Sequence, residues 1–407
     1  MPPTFFYPPL AMIEFPISLT YQHRVIFTDG VFDQENDVLA EVLTLVPAVL
    51  RQRARVLIFV DEGLIEADPA LLGHISGWFV RRTGMFDLRA APVPVSGGEA
   101  CKNDWNLVHQ IWSSIHDAGL DRHSYVLVLG GGAVLDLVGL AAATAHRGIR
   151  LVRLPTTTLS QGDGGVGVKN GVNYFGKKNW VGTFSVPFAV INDVRFLEHL
   201  PLAEKRAGYI EAIKVALIRD ATFFEEMAAN VPAMQDFEPT MLRRVIERSA
   251  ELHVRHIATG GDPFELGSAR PLDFGHWVAH KLEQMTHFAV SHGEAVALGI
   301  AVDLIYANLA GMLAEPLCER ILLLLEDLGF KLWHPALLQN VSPDEKRLVV
   351  LQGLEEFREH LGGALCITLV IDIGQAVEVR EMDEKLVRRA IEKLQARALA
   401  AEVVLSL

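Results

Sequence analysis

Hydrophobic residues are grouped differently in the two halves of this chain. In the first half, short runs of aliphatic and β-branched residues alternate with segments of helical periodicity, such as Asn103 to Gly119 and Ala133 to Thr144. Alternation of strands and helices predicts a mostly parallel α/β sheet. The predicted strands are Val56–Val60, Tyr125–Leu129, Leu151–Leu154 and Ala189–Asn192.

Beyond about Pro201 the apolar spacing becomes helical. The predicted helices are Leu202–Met227, Thr240–Ala258, Pro271–Thr286, His292–Ala314 and Pro316–Leu328, and the predicted strands are Leu365–Ile371 and Ala376–Val379. We therefore predict an α/β protein with two domains. Residues 1–200 would form a Rossmann-like dinucleotide-binding domain, and residues 201–407 a mainly helical metal- and substrate-binding domain. The cleft between them is the expected active site.

Composition narrows the class of protein without identifying it. The chain has 407 residues, a formal net charge of −13, and half of its residues are hydrophobic. These values are typical of a soluble globular protein with a large core, and the negative charge argues against nucleic acid or a membrane surface as the main partner. The proline-interrupted N-terminus lacks the pattern of a signal peptide. Three widely spaced cysteines suit a reducing compartment, so we expect a cytoplasmic protein.

Histidines at helical spacing predict a metal site. His276 and His280 are four residues apart and share one face of a predicted helix. Ser291 and Glu294 have the spacing of a capping box, which places His292 in the first turn of a second helix. Two imidazoles that converge from two helices can bind a metal ion, and an upstream carboxylate can complete the site.

Glu211 is the candidate for that carboxylate. It lies in an apolar helical segment, one turn before Lys214. A simple ion pair with Lys214 is one interpretation, but an ion pair among apolar neighbours is costly without compensation. A divalent cation held by Glu211 and two histidines would compensate it and leave zinc an open position for substrate. The remaining histidines, including His253 and His256, are expected to be ordinary surface or core residues.

A glycine triplet, Gly130–Gly132, follows a predicted strand and opens a helix that contains Asp136. Backbone amides at such a turn favour a pyrophosphate. The third glycine position of the dinucleotide fingerprint holds Leu135, so a tight turn without a ligand is an equal alternative. Asp61, at the end of an earlier strand, is a candidate for binding a ribose hydroxyl, although aspartate is common at strand ends.

A second glycine-rich stretch, Gln161–Gly182, is predicted to be an ordered loop, with a flexible solvated loop as the alternative. Glycines let a backbone approach a ligand closely. Lysines offer charge for a phosphate, and asparagines offer hydrogen-bond donors. The polar residues of the stretch are Asp163, Lys169, Asn173, Lys177, Lys178 and Asn179.

Together, these segments resemble the sugar phosphate cyclase superfamily, which includes 3-dehydroquinate synthase. The resemblance extends roughly from residue 56 to residue 374. The matching motifs are Gly98-Glu99-Ala-Cys-Lys102, Gly130-Gly-Gly-Ala-Val-Leu-Asp136, Ala145-His-Arg147-Gly, Pro155-Thr-Thr-Thr158, Gln161-Gly-Asp163-Gly-Gly-Val-Gly-Val-Lys169, Gly176-Lys-Lys178-Asn179, Glu211-Ala-Ile-Lys214, Asp273-Phe-Gly-His276 with His280, and His292-Gly-Glu-Ala-Val-Ala.

The resemblance implies a role for each matching residue. Zinc, or cobalt in its place, would be bound by Glu211, His276 and His292. Together with Asp61, the residues expected to contact NAD are Glu99, Lys102, Gly130, Gly131, Gly132, Asp136, Thr157, Thr158 and Lys178. The substrate and its phosphate would be held by Lys169, Lys214, Asn179 and, across a homodimer interface, Arg147. Asp163 would lie near the nicotinamide and His280 near the reacting hydroxyl.

The resemblance also implies a reaction. In this family NAD transiently oxidises a ring hydroxyl, phosphate is eliminated, the ketone is reduced again, and the opened enol closes by an intramolecular aldol step. Zinc acts as a Lewis acid on the hydroxyl, and lysines stabilise the charge of the departing phosphate.

Departures from the 3-dehydroquinate synthase pattern predict the substrate. The arginine expected seven residues before the first zinc histidine is Ala269 here, with Arg270 one residue later, and the asparagine expected three residues before it is Asp273. A carboxylate-binding lysine of the family is replaced by Arg255 in this interpretation. Asp273 would repel a carboxylate but accept hydrogen bonds from a hydroxyl. We therefore predict a substrate without the carboxylate, with sedoheptulose 7-phosphate as the leading candidate.

Other segments bear on the same choice. A lysine-rich segment of 3-dehydroquinate synthases reads Phe357–His360 here, and Phe27–Asn36 resembles the heptulose-phosphate cyclases of the valiolone synthase type. His280 is retained where those enzymes often have proline. Three alternatives stay open: 3-dehydroquinate synthase itself, a metal-dependent polyol dehydrogenase, and a non-catalytic protein that binds NAD or a sugar phosphate.

Overall fold

The computed structural model describes residues 13–46, 53–265, 271–342, 344, 346–360, 363 and 365–405. Strands and helices alternate up to residue 193. The strands are β1 (Val25–Thr28), β2 (Ala54–Asp61), β3 (Phe86–Leu88), β4 (Val93–Val95), β5 (Tyr125–Gly130), β6 (Arg150–Pro155), β7 (Lys169–Tyr174), β8 (Lys177–Phe184) and β9 (Ala189–Asp193). The helices are α1 (Val38–Thr44), α2 (Glu62–Ala67), α3 (Leu71–Arg81), α4 (Trp105–Asp117), α5 (Gly132–Thr144) and α6 (Thr158–Gly162).

Seven of these strands form one parallel sheet. The strand order is β1-β9-β6-β5-β2-β3, and β4 pairs with the last part of β2. Side chains of β2 alternate between two cores: Val56, Ile58 and Val60 pack with α1 and α3, whereas Leu57 and Phe59 pack with α4 and α5. A sheet covered by helices on both faces is the arrangement that parallel strands require. The predicted α/β sheet is therefore confirmed.

The chain from Leu202 onward is mainly helical. Its helices are α7 (Leu202–Arg219), α8 (Ala221–Ala229), α9 (Val231–Gln235), α10 (Pro239–Thr259), α11 (His276–Met285), α12 (His292–Leu309), α13 (Glu315–Asp327), α14 (Gln352–His360) and α15 (Glu384–Leu405). Strands β10 (Ile367–Asp372) and β11 (Gln375–Val379) pair as an antiparallel hairpin. Helix α12 is buried along most of its length, where it packs against α7, α11, α13 and α15.

No helix within the described ranges is long and apolar enough to cross a membrane. The change to a mainly helical chain coincides with the start of α7. That residues 1–200 and 201–407 form separate domains stays a prediction.

Two predicted helices are shorter than expected because capping residues interrupt them. The segment predicted as Leu202–Met227 divides at Asp220, whose side chain caps α8. The segment predicted as Pro271–Thr286 becomes α-helical only at His276, because Gly275 has a left-handed φ of 78°. A Cβ on Gly275 would lie 2.7 Å from the backbone nitrogen of Ile300 in α12. The glycine therefore brings the start of α11 into close contact with α12.

The glycines of Gln161–Gly182 led us to predict a loop, but most of this stretch has regular structure. It passes through a 3-10 turn at 164–166 and then forms the antiparallel β7–β8 hairpin. Phe175 and Gly176 at the hairpin tip both have positive φ, as two-residue hairpin turns require. Some of these glycines let the two strands of the hairpin approach each other closely and do not make the chain flexible. A Cβ on Gly182 would lie only 2.6 Å from the carbonyl oxygen of Asn170.

A buried arginine in β6 fastens the turn that precedes this hairpin. The Arg153 guanidinium donates to the carbonyl oxygens of Gly165, Gly167 and Lys169 and to the side-chain oxygen of Asn170, at 2.7–3.0 Å. Arg153 is fully buried, so these acceptors replace the water that the cation loses. The conformation of the turn therefore depends on a residue of the central sheet.

Candidate active site

A cavity of about 910 Å³ lies where the carboxyl ends of β2, β5 and β6 meet helices α7, α10, α11 and α12. This edge of an open parallel sheet is where ligands usually bind. Most of the predicted site residues line it: Asp61, Glu99, Lys102, Gly131, Gly132, Asp136, Thr157, Asp163, Lys169, Lys178, Asn179, Lys214, Asp273, His276, His280 and His292.

Glu211, His276 and His292 converge at the base of this cavity. The Nε2 atoms of both histidines lie 3.7 Å from Oε1 of Glu211. One ligand atom from each residue lies within 4.8 Å of the other two. Glu211 is 1% exposed and His276 is 7% exposed. Helices α7, α11 and α12 therefore each contribute one potential metal ligand.

The hydrogen bonds of the two histidines fix their tautomers. Nδ1 of His276 donates to the carbonyl oxygen of Phe274 at 3.1 Å, because a carbonyl oxygen can only accept. Nδ1 of His292 lies 3.3 Å from Oε2 of Glu283, and a carboxylate likewise accepts. Both imidazoles therefore present an Nε2 lone pair to Glu211.

Potential ligand atoms from Glu211, His276 and His292 face one another, and a cation between them would be held by all three residues. Neither carboxylate oxygen of Glu211 has a hydrogen-bond partner, although the ammonium of Lys214 lies close to Oε2. Burial raises the pKa of Glu211, and Lys214 opposes that shift. Burial and Lys214 lower the pKa of His276 to about 3, so its imidazole is neutral at neutral pH. Two imidazoles and one carboxylate fit a zinc-type ion with an open position.

His280 shares the face of α11 that carries His276 but does not join this set. Its ring centroid lies 5.4 Å from that of His276 and 6.1 Å from that of His292. Burial, followed by the charge of Lys178, holds the pKa of His280 well below its ordinary value. A neutral imidazole lining the cavity can accept a proton from a bound hydroxyl.

The opposite side of the cavity is formed by the turn from β5 into α5. Gly131 caps this helix and Gly132 is its first residue, so the helix N-terminus offers free backbone N–H groups to an anion. A Cβ on Gly132 would meet no atom within 4 Å, which leaves room for a ligand at the backbone. Asp61 accepts from the N–H of Gly63 at 2.9 Å and caps α2.

Charged side chains surround this turn. The buried Lys102 donates to Asp136 at 2.8 Å and also contacts the side-chain oxygen of Asn179. Burial opposes the charged form of Lys102, but Asp136 and Glu99 raise its pKa above the ordinary value. Lys178 donates to both carboxylate oxygens of Glu283, at 2.8 and 3.0 Å.

A third group of charges lies between the hairpin and α10. Asp163 accepts from Nδ1 of His253 at 2.7 Å and lies 3.9 Å from the ammonium of Lys214. Although burial opposes ionisation, Lys214 and His253 hold the pKa of Asp163 well below its usual range. Lys169 is half-exposed and pairs with Glu265 at 2.5 Å. Ammonium groups in this part of the cavity can receive a phosphate.

Comparison with known proteins identifies the family. The N-terminal and C-terminal models of 3-dehydroquinate synthase match residues 92–207 and 208–347. A 3-dehydroquinate synthase from Symbiobacterium thermophilum is 37% identical over 292 residues, which cover 72% of this chain and 79% of that protein. This chain belongs to the 3-dehydroquinate synthase family.

Relatives within the family carry different activities in their names. A 2-epi-5-epi-valiolone synthase from Streptomyces glaucescens is 31% identical over 382 residues, 92% of this chain and 91% of that protein. The solved structure of the 2-epi-5-epi-valiolone synthase ValA from Streptomyces hygroscopicus subsp. jinggangensis has NAD+ and Zn2+ bound. It is 25% identical, with a TM-score of 0.81, and covers 95% of this chain and 100% of that one. The predicted resemblance and the fold class are confirmed.

Gly130 and Thr158, which were predicted to contact NAD, are not among the residues that line the cavity. Gly130 ends β5, and a Cβ there would lie 2.9 Å from Cβ of Val134. The Thr158 hydroxyl donates to the carbonyl oxygen of Glu204 at 2.7 Å and accepts from the N–H of Gly208 at 3.2 Å. In the structure Gly130 permits the strand–helix turn and Thr158 joins α6 to α7, and their contact with NAD stays a prediction.

The residue expected to replace a carboxylate-binding lysine was also misidentified. Arg255 is exposed and pairs with Glu251 at 2.5 Å on the surface of α10. His253, predicted to be an ordinary histidine, lines the cavity instead. No local pattern distinguishes the two, because the packing of α10 decides which side faces inward. The predictions for Ala269 and Arg270 lie outside the described residues.

Glu283 is a second residue that the sequence analysis missed. It is 2% exposed and contacts both His292 and Lys178. A signal was present, because Glu283 follows His276 by seven residues and His280 by three and therefore shares their helix face. Arg147, in contrast, is exposed, follows the end of α5, and does not line this cavity.

Proposed function

We propose that this chain is an NAD- and zinc-dependent sugar phosphate cyclase. It would convert a heptulose 7-phosphate, most simply sedoheptulose 7-phosphate, into a C7 cyclitol with elimination of phosphate. The observation that carries the proposal is the convergence of potential ligand atoms from the buried Glu211 and from His276 and His292, two histidines that line the same cavity as Gly131 at the helix N-terminus. A metal site and an anion-binding turn in one cavity suit a reaction that uses both.

Two cofactors fit the residues present. Glu211 and the two histidines supply the ligand set of a catalytic zinc ion, and cobalt would accept the same donors. The glycine turn, with Lys102 and Asp136 beside it, suits a dinucleotide. When bound, NAD would accept and return a hydride, and zinc would polarise the hydroxyl that reacts. The related ValA structure, which has both cofactors bound, supports this assignment.

The remaining residues have roles that follow from charge and position. Lys169 and Lys214 would hold the phosphate and stabilise its developing charge as it leaves. His280, kept neutral by burial, would accept a hydrogen bond from the reacting hydroxyl and orient it. Asp163, paired with His253, would orient the end of the substrate that faces α10.

Asp273 favours a substrate without a carboxylate. It lines the cavity, and its charge acts on the buried ammonium of Lys214. A carboxylate at this position accepts hydrogen bonds from hydroxyl groups and repels a second carboxylate. We therefore favour sedoheptulose 7-phosphate over the carboxylated heptulosonate substrate of 3-dehydroquinate synthase. A 2-epi-5-epi-valiolone synthase that is 31% identical over 92% of this chain supports this choice.

We further propose a cytoplasmic homodimer. Arg147 is exposed and outside the cavity of its own chain, so it could contact a substrate only in another molecule. The three cysteines, which all lie within the described ranges, are buried and form no disulfide bond, in keeping with a reducing compartment.

The deciding experiment compares two substrates. The protein is purified with zinc and NAD, and phosphate release is measured from sedoheptulose 7-phosphate and from 3-deoxy-arabino-heptulosonate 7-phosphate. Release from the first alone supports the proposal, and release from the second alone identifies a 3-dehydroquinate synthase. Net NADH production without phosphate release would indicate a polyol dehydrogenase. Bound cofactors with neither product would indicate a non-catalytic binding protein.

Asp273→Asn tests the proposed basis of specificity. The change removes one negative charge and leaves the shape of the side chain unaltered. We expect the ratio of kcat/KM for the carboxylated over the uncarboxylated substrate to rise about tenfold, which corresponds to about 1.4 kcal/mol. Glu265→Gln, at another carboxylate that lines the cavity, is the matched control. An unchanged ratio would show that another residue selects the substrate.

A further inference from the structure

Glu283 lies between the proposed metal ligands and the proposed dinucleotide site. Its carboxylate is almost completely buried, at 2% exposure. Oε2 lies 3.3 Å from Nδ1 of His292, and Lys178 donates to Oε1 and Oε2 at 2.8 and 3.0 Å. A buried carboxylate that contacts two functional side chains on opposite sides can transmit a change from one to the other.

The contacts of Glu283 continue into the dinucleotide side of the cavity. Lys178 is 4.0 Å from Glu99, which is 3.8 Å from Lys102. Lys102 in turn pairs with Asp136 in the first turns of α5 at 2.8 Å. Positive and negative groups alternate along this path, so a change of charge at one member alters the pairing of the next.

We infer that Glu283 is a positioning residue that couples metal binding to dinucleotide binding. The inference rests on the proposed function, because it requires that His292 binds metal and that Lys178 contacts the dinucleotide. Among the described residues, no hydrogen bond or ion pair joins Glu211, His276 or His292 directly to the glycine turn at Gly130–Gly132. Within the described residues, Glu283 contacts a member of each side.

The direction of the coupling follows from the hydrogen bonds. A metal ion on Nε2 of His292 would make Nδ1–H a stronger donor, so Glu283 would be held more tightly by the imidazole. The same carboxylate would then attract Lys178 less strongly, and its ammonium would become more available to a phosphate group. Metal binding should therefore strengthen NAD binding, and NAD should strengthen metal binding by the same factor.

The alternative of a second metal ion at this position is less favourable. His280, Glu283 and His292 also offer ligand atoms within 4.8 Å of one another. The ammonium of Lys178 already lies on the Glu283 carboxylate, and a divalent cation there would meet an adjacent positive charge. His292 also presents its protonated Nδ1 to Glu283, whereas metal coordination requires a lone pair.

The experiment measures NAD affinity with and without metal. Isothermal titration calorimetry gives the Kd for NAD of the full-length protein, first metal-free and then loaded with Zn2+. For the unaltered chain we expect the Kd for NAD to fall about fivefold or more when Zn2+ is bound. A change of about fivefold lies at the lower end of the usual range of coupling between two binding sites. In Glu283→Gln the ratio should approach one, and the affinity for Zn2+ should fall by about 10- to 100-fold.

Two further variants separate coupling from a general structural effect. Glu356→Gln removes a carboxylate of α14 that pairs at 2.7 Å with Lys281, a lysine on the same helix as Glu283. In this variant the coupling should persist. Lys178→Gln removes the other partner of Glu283, so the coupling should disappear while metal affinity without NAD is retained. This variant also tests the link if Glu283→Gln does not fold.

The outcomes distinguish this inference from the function on which it rests. If the unaltered protein binds no Zn2+ or no NAD, both the proposed function and the coupling are wrong. If it binds both but the NAD Kd is the same with and without metal, only the coupling is wrong. Coupling that persists in both Glu283→Gln and Lys178→Gln would also overturn the role of Glu283.

Discussion

Helices α11 and α12 and the segment from Asp163 to Lys178 both supply residues to the cavity, but they hold them differently. In the helices, spacing along the chain places the side chains: His276 and His280 share a face, and the capping box at Ser291 fixes the start of α12. In the other segment, contacts with the central sheet fix the backbone, through Arg153.

This difference explains which predictions succeeded. Helical periodicity is a local property, so the arrangement of α11 and α12 is largely visible in the sequence. The path of the glycine-rich segment depends on the Arg153 guanidinium, which contacts residues 12 to 17 positions further along the chain from its buried strand. The composition alone predicted a loop, whereas the folded chain forms a turn and the β7–β8 hairpin. Four variants would test the comparison, beginning with the largest expected effect.

Arg153→Met should produce the greatest loss of stability. The change removes the Arg153 donor from two buried carbonyl oxygens and one partly buried one, and each buried oxygen left unsatisfied costs about 1–3 kcal/mol. We expect the free energy of unfolding to fall by about 3 kcal/mol or more, measured by chemical denaturation. Arg150→Met on the same strand is the control, because its guanidinium donates to one carbonyl oxygen and one tyrosine hydroxyl and otherwise lies over two aromatic rings. Equal losses in the two variants would refute the special role of Arg153.

His292→Ala should remove a metal ligand and leave the fold intact. We expect the Kd for Zn2+ to rise by more than about 100-fold, which corresponds to about 2.7 kcal/mol of binding free energy. This loss exceeds the effect of about 10- to 100-fold that is usual for a residue that only hydrogen-bonds to a metal ligand. Competition with a chromophoric chelator gives the affinity. His199 is an exposed histidine that lines the cavity and belongs to neither group of potential metal ligands found among the described residues, so the control variant His199→Ala should bind zinc normally. Near-normal metal content in His292→Ala would sink the metal assignment.

Asp303→Asn tests how α11 is anchored. Asp303 is fully buried and accepts from the N–H of Gly275 at 3.1 Å and from the indole of Trp277 at 2.9 Å, on either side of His276. An amide offers one acceptor oxygen instead of two, so the variant should lose about 1–3 kcal/mol of stability.

The loss in Asp303→Asn should also depend on pH. Burial raises the pKa of Asp303 from 3.8 to about 7. Between these values the folded chain keeps a proton that the unfolded chain has released, so the stability of the unaltered protein falls as the pH rises. The variant lacks this titration, and the stability difference should therefore be larger at pH 5 than at pH 8. Urea unfolding at both values checks this, and a constant difference would contradict the buried acid.

Ser291→Ala should have the smallest effect. The Ser291 and Glu294 side chains form a capping box at the start of α12, and loss of the cap hydroxyl typically costs about 1 kcal/mol. Because His292 is the next residue, a small decrease in zinc affinity should accompany the decrease in Tm. Ser113→Ala, at an exposed position within α4, should change stability by less than about 0.5 kcal/mol. An effect no larger than this control would show that the capping box does not hold the ligand.

Features with local causes were determined by the sequence itself. Strand–helix alternation predicted the parallel sheet, and residue spacing predicted the histidine face of α11 and the cap of α12, because each depends on a few neighbouring residues. The choice of Glu211 as the third member of the metal set also followed from local context, as a charged residue in an apolar helix. The family resemblance supplied most of the other cavity residues.

Only the tertiary structure decided which side of a helix or loop meets the cavity. Packing of α10 turns His253 inward and Arg255 outward, and packing of α11 buries Glu283 between His292 and Lys178. These outcomes depend on long-range contacts between helices and strands. Sequence periodicity defines the faces of a helix, but the neighbouring elements determine which face meets another charged group.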